Sequence, residues 1–220
     1  MNRLLLSIAI ILCAVPFAAH AFDVSQASGR FGVAIVNNSE DSAPSPVLNT
    51  LGGSVELSFK DDYFLTLEPG LDLMWTNYEW YDGRRAAPTP AETGGGNNVF
   101  VLGLLMDVPV VFSFPIADRF SAAVSVGTAF LLRISMPGDT TAGYETQMAD
   151  NLSKVSTYFW QAGRWWYPSA SIRLNVWLQE GFTFALAVRG FLPLFNAWTK
   201  DAPFWDAAIL HATLSMYVRL

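Results

Sequence analysis

Two hundred and twenty residues suffice for one ordinary domain or one small membrane barrel. Only 15% of them are charged, whereas 52% are hydrophobic and 14% aromatic, including 8 Trp; soluble domains carry charge on about a quarter of their residues. The formal charge of −6 supplies no basic face, which excludes a nucleic-acid partner.

The chain opens on Arg3, an apolar run from Leu4 to Val15, and small residues at Ala19 and Ala21. This is a secretory signal pattern with cleavage expected after Ala21, which leaves residues 22–220 as a single domain. The alternative, an uncleaved anchor, fits less well because a spanning helix needs about 20 apolar residues. Cys13 is the one cysteine, and Leu12 before it does not suit a lipidation signal. The mature chain then has neither disulfides nor thiolate chemistry.

Alternation begins at Gly29 and runs to Asn37, with Phe31, Val33 and Ile35 opposite Arg30, Gly32 and Ala34. After a polar loop (Asn38 to Pro46), Leu51 to Phe59 alternates again, placing Glu56 on the polar side. Lys60 to Asp62 is a tight turn. From Tyr63 to Tyr81, Leu65, Leu67, Leu71, Leu73 and Trp75 face away from Thr66, Glu68, Gly70 and Asp72. Asp82 to Asn98 reads as a long mobile loop rich in Pro and Gly.

Val99 to Phe114 is nearly all apolar and long enough for a spanning helix. Asp107 and Pro109 in its middle oppose that, because a mid-helix Pro costs about 3 kcal/mol and an intramembrane Asp about 2.5–3.5 kcal/mol. Its Val and Phe content suits a strand, with Pro109 expected near a strand end or bulge. Phe120 to Ile134 alternates and carries Arg133 on the polar side. In the longest connection, Ser135 to Gly163, Tyr144, Met148, Leu152, Val155 and Phe159 recur at helical steps. A short amphipathic helix is expected there, with a disordered loop as the alternative. Trp165 to Leu178, Phe182 to Leu194 and Asp206 to Leu220 alternate in turn, with Arg173, Arg189, His211 and Arg219 on their polar sides.

Eight strands result, joined by connections that alternate long and short. The fold class expected is all-β: an eight-stranded antiparallel up-and-down transmembrane β-barrel with a short helix in the third long loop. Short turns on one side and long loops on the other are the habit of outer-membrane barrels. A soluble barrel would put charge on its outside. Here the apolar faces are almost uncharged, as lipid contact demands. Trp75, Trp80, Trp160, Trp165, Trp166, Trp198 and Trp205 lie at the long connections and form the expected outer aromatic girdle; Phe59, Tyr63, Phe120 and Phe182 flank the short turns.

The run Val108-Pro109-Val110-Val111-Phe112, followed by a turn and a Gly-containing strand through Gly127, resembles the small outer-membrane β-barrel families, OmpW-like and OmpA-like, and related spirochaetal proteins. The resemblance implies a bacterial outer-membrane location, outer-membrane lipids as surroundings, and insertion by the barrel-assembly machinery. Such barrels usually end in an aromatic residue; this chain ends in Leu220, with Tyr217 nearby.

Arg30, Glu56, Glu68, Asp72, Arg133, Arg173, Arg189, His211 and Arg219 are expected to line the lumen. Setting Asp107 aside, the arginines outnumber the carboxylates, which favours a small anionic solute. Two functions stay open: a narrow passage for small hydrophobic or weakly anionic molecules, or a structural or adhesive barrel with a plugged lumen and working outer loops. No enzyme is expected, since His211 is the mature chain's one histidine and sits mid-strand. No metal or cofactor is expected either, because metal-ligand spacings and phosphate loops are lacking.

Overall fold

The computed structural model describes residues 22–39, 46–59, 62–81, 85–89, 97–140, 145–179, 181–200 and 202–220. The signal segment with Cys13, the three glycines at Gly94, and Tyr144 lie outside them. The strands are β1 (Phe22–Val36), β2 (Val47–Phe59), β3 (Asp62–Leu67), β4 (Gly70–Tyr81), β5 (Arg85–Thr89), β6 (Asn97–Ala117), β7 (Phe120–Thr140), β8 (Trp166–Gln179), β9 (Phe182–Phe191) and β10 (Ile209–Arg219). Two helices, α1 (Glu145–Trp160) and α2 (Asn196–Thr199), lie in the long connections.

These strands make an eight-walled antiparallel transmembrane barrel. β3 and β4 together form the third wall, and β10 closes the ring on β1 from Gln26↔Arg219 to Val36↔Ile209. A row of paired residues followed from Leu73 through Leu51, Phe31, Leu214, Leu186, Leu174 and Ala122 arrives on β6 at Phe114. Leu73 itself pairs on β6 with Leu104, ten residues away. A stagger of that size around eight walls tilts the strands by about 40°.

Closure requires that one face of every strand meet the lumen, and the alternation supplies it. Phe31, Leu51, Leu71, Val126, Ile172, Leu186, Leu210 and Leu214 are all exposed on the outside. Their polar neighbours in sequence turn inward. β9 has 10 residues, the length a tilted membrane strand needs. β6 and β7 have 21 each, and their upper halves continue past the apolar belt.

Pro109 stands in the middle of β6, which corrects the expectation of a strand end or bulge. Its missing N–H falls opposite Glu68, where the third wall is interrupted between β3 and β4 at Glu68 and Pro69. The register runs unbroken across that gap, helped by Glu68 N–H to Pro109 C=O (3.0 Å) and Val55 N–H to Pro69 C=O (3.0 Å). Across the next seam Gly127 faces Pro109, and any Cβ there would strike the Pro109 backbone.

The loop from Asp82 to Asn98 also departs from expectation. Its residues 85–89 form β5, which pairs with β4 from Asn77↔Thr89 to Tyr81↔Arg85. α1 fulfils the helical spacing: Met148, Val155 and Phe159 are buried together with Tyr78, Ala86, Val99 and Val101. The helix thus caps the projecting part of the barrel rather than floating above it.

Leu214 sits near the middle of the outward belt. Arginine at that position should destabilise the folded barrel by about 2–4 kcal/mol, read as a shift in denaturant midpoint in lipid vesicles. Arginine at Glu79, above the belt on β4, should cost far less.

Candidate functional site

The lumen is built in two tiers. The lower tier is polar. Arg30 on β1 donates through Nε to Asp72 Oδ1 (2.7 Å) and through Nη2 to Asp72 Oδ2 (2.8 Å), a bidentate pair buried on both sides. Gly70 leaves room for it; a Cβ there would meet the Arg30 guanidinium. Arg173 on β8 donates to Glu68 and to the Tyr217 hydroxyl (2.6 Å), with Glu56 at 3.7 Å. Tyr217 in turn donates to Glu68 Oε1 at 2.7 Å, as does Ser54. Arg189 on β9 pairs with Asp107, which also accepts from the Ser169 hydroxyl at 3.1 Å. These contacts bridge walls distant in sequence and cross-brace the barrel through its centre.

The upper tier is apolar. Ala34, Val36, Leu48, Met74, Leu105, Ala129, Leu131, Tyr167, Phe191, Phe195 and Ile209 form one buried cluster. Above it the α1 cluster continues the seal. Arg133 belongs to this upper tier, away from the carboxylates: its Nη2 donates to the Tyr167 hydroxyl at 2.7 Å and its Nη1 to the Arg164 carbonyl at 3.4 Å. Its guanidinium lies over the Phe159 ring at 4.6 Å. Burial pushes the Tyr158 hydroxyl of α1 upward in pKa, and the Arg164 guanidinium, stacked on its ring at 4.0 Å, works the other way.

The predicted lumen residues are accordingly divided. Arg30, Glu68, Asp72, Arg173, Arg189 and His211 meet in the lower tier, with Glu56 at its base. Arg133 stands apart in the upper tier. Arg219 lies at the lower mouth, exposed to solvent. Asp107, set aside in the charge reading, is fully buried and serves Arg189. It supplies a fourth carboxylate, which removes the expected cationic excess from the lower tier. Its signal was its parity: it shares the inward face of β6 with Val99, Val101, Leu105 and Val111.

Of the expected girdle, Trp75, Trp160, Trp165, Trp198 and Trp205 are exposed, and Trp165 stacks on the outward Phe130 ring at 5.9 Å. Trp166 is half-buried and donates to the Thr128 hydroxyl at 2.6 Å. Trp80 turns inward and packs edge-on against Tyr158 at 5.9 Å. Its place in the strand alternation, on the side of Tyr78, accounts for that. Phe120, Trp177 and Phe182 are exposed at the opposite end, whereas Phe59 and Tyr63 have side chains outside the described set.

His211 accepts or donates at Nε2 with Thr50 Oγ1 (2.8 Å), and its Nδ1 stands 3.9 Å from Asp72. The three residues resemble a nucleophile, base and orienting acid, but all are buried and the Nδ1 distance is too long for a hydrogen bond. None of the three lines either of the two large cavities, at the lower mouth or at the outer end. The one at the lower mouth, about 550 Å³, is lined by Glu56, Ser121, Arg173, Asn175, Trp177 and Arg219 among others. It ends upward at the Arg173–Glu68–Tyr217 cluster. A second, of about 450 Å³, lies at the outer end between α1 and Trp80.

No family model and no curated protein matches the chain. Solved structures do. Neisserial surface protein A superposes with a TM-score of 0.54 at 6% identity, over 90% of this chain and 99% of that one. Ail, the attachment invasion locus protein of Yersinia pestis, gives 0.45 at 8% identity, over 91% and 99%. The N-terminal β-barrel domain of Pseudomonas aeruginosa OprF gives 0.44 at 14% identity, over 90% and 99%. The likeness to Neisserial surface protein A is one of fold, and it agrees with the small barrel described above.

Removing one member of a buried pair strands the other charge. Arg189→Met should therefore cost about 3–5 kcal/mol, while Arg189→Met with Asp107→Leu should regain most of it. Denaturant midpoints of the two variants and the parent make the comparison.

Proposed function

We propose that the protein is an integral barrel of the bacterial outer membrane whose lumen is shut and whose outer cap is its working part. The apolar belt and the absence of charge along it support the membrane location. One observation carries the rest: three arginine–carboxylate pairs span the lumen directly beneath a continuous apolar core. The described cavities inside the barrel, apart from the lower mouth, measure about 10 to 20 Å³, room for a single water. A solute would have to break desolvated ion pairs and then part the Phe191, Phe195 and Tyr167 packing.

The cap has the attributes of a presented surface. β5, α1, the outer end of β4 and the start of β6 share one core, so the outer face is held by packing. Trp198 ties α2 to the α1 side through its indole N–H to the Ala162 carbonyl at 2.9 Å. Trp160, Trp198, Phe204 and Trp205 stay exposed, aromatic anchors of the kind that dominate protein interfaces. Adhesion or another surface contact is the reading this favours over passage of small hydrophobic or anionic solutes.

Purified barrel reconstituted in planar bilayers should show no conductance steps, and liposomes carrying it should not take up small solutes faster than empty ones. Steady channel openings in the parent protein would refute the shut lumen. Trp198→Ser and Trp205→Ser should leave heat-modifiable gel mobility unchanged and weaken attachment of expressing cells to their target surface; unchanged attachment would remove the cap from the reading.

A further inference from the structure

Four buried arginines, Arg30, Arg85, Arg173 and Arg189, each face a carboxylate. Arg133 does not, although it is just as buried. Among the described residues its partners are a tyrosine hydroxyl, a backbone carbonyl and two aromatic faces, Phe159 at 4.6 Å and Tyr167 at 5.9 Å. Its Nε has no partner there. A guanidinium cannot shed its proton in a protein, so burial leaves it a full charge. Aromatic faces and neutral acceptors offset only part of the cost of removing such a charge from water.

The surroundings narrow what could complete it. Arg133 borders two small cavities of about 20 Å³ each. One is walled by Val36, Leu48, Met74 and Ile209, among others. The other is walled by Tyr158, Phe159, Arg164, Phe195 and Asp206, among others. The Asp206 carboxylate is already engaged: its Oδ1 accepts from the Ser39 N–H (2.8 Å), the Ser39 hydroxyl (2.6 Å) and Arg85 (3.2 Å). The second cavity therefore offers the Arg133 guanidinium and the Tyr158 phenol within an aromatic enclosure, with Arg164 in its wall. A volume of this order admits one small sphere and no sulfate or phosphate.

We propose that the cavity between Arg133, Arg164 and Tyr158 is a binding site for a single monovalent anion of halide size. It lies where α1 meets the barrel wall, so an anion there ties the cap to β7 and stabilises the capped state by mass action. The site is independent of whether the cap binds a partner.

Crystals of the native barrel grown or soaked in bromide test it directly. The expected result is an anomalous difference peak in contact with the Arg133 guanidinium, beneath α1. Crystals whose surface bromides are visible but which show only a water, or nothing, beside Arg133 would overturn the proposal. In solution the folded form should survive to a higher temperature in chloride than in gluconate at equal ionic strength, with the difference lost in Arg133→Gln. Equal midpoints for the native protein in the two salts would count as decisively against it. The bromide experiment needs no variant, so it stands even if Arg133→Gln fails to fold.

Discussion

The closed ring is the constraint on which everything else depends. In a bilayer each backbone donor and acceptor must find its partner within the protein, and a sheet can do this only by having no edge. The seam from Gln26↔Arg219 to Val36↔Ile209 achieves that, and it fixes the stagger of all other walls. Once the ring is closed, the outward face is committed to lipid, and every polar side chain on the strands is forced into a narrow tube. Eight walls leave an interior that side chains fill. Charges driven inside must then find one another. The pairs Arg30–Asp72, Arg173–Glu68 and Arg189–Asp107 are a consequence of closure as much as a contributor to stability. Buried pairs of this kind are weak net stabilisers, but each defines register, because a slip of one residue would turn its members into lipid.

The two tiers divide the interior by a different rule. Below, where the tube opens to a cavity of about 550 Å³, polar groups can be served by water as well as by each other. Above, the long strands β6 and β7 rise past the membrane, and their inward faces meet protein instead of a tube of water. There the inward residues are Val99, Val101, Leu105, Ala129 and Leu131. Val99 and Val101 take their apolar cover from Met148, Val155, Tyr158 and Phe159 of α1, while Leu105, Ala129 and Leu131 pack with Met74, Tyr167, Phe191 and Phe195. The cap is thus the outer end of the core, which explains why a helix in a surface loop is buried along one side.

Most of the architecture was legible in the residues because membrane strands obey a strict alternation. Phe31, Leu51, Leu186 and Leu214 could be placed outside, and Arg30, Asp72, Arg173 and Arg189 inside, from parity alone. The helix was legible from Met148, Val155 and Phe159. What parity could not convey was depth along the tube. Arg133 and Arg189 have the same inward sense, yet one meets aromatics and the other a carboxylate, because the ten-residue stagger sets their neighbours. Asp107 was obscured by its apolar surroundings: in a run that is hydrophobic on both sides, alternation has no contrast. Pro109 misled for a related reason. Proline is tolerated mid-strand here because the wall it faces is itself interrupted, at Glu68 and Pro69, and that coincidence of two prolines across a seam is invisible until the register is known. β5 was hidden by Pro88, which a sheet accepts only at an edge, and β5 is an edge.

Arg133 joins these threads. A barrel that merely needed to be filled could place an apolar residue at that position, as it does at Leu131 two residues earlier on the same face. A guanidinium there costs desolvation, and the surrounding side chains, Tyr167, Phe159 and Tyr158, are those that can solvate a cation without carrying opposite charge. The arrangement differs from the lower tier, where each arginine has an acid across the lumen. It places a guanidinium with no facing carboxylate among the described residues at the boundary between wall and cap, against Phe159 of α1 and the Arg164 carbonyl in the turn after it. A charge at that boundary makes the attachment of the cap sensitive to what shares the space with it. A purely apolar boundary would be indifferent to the ionic medium.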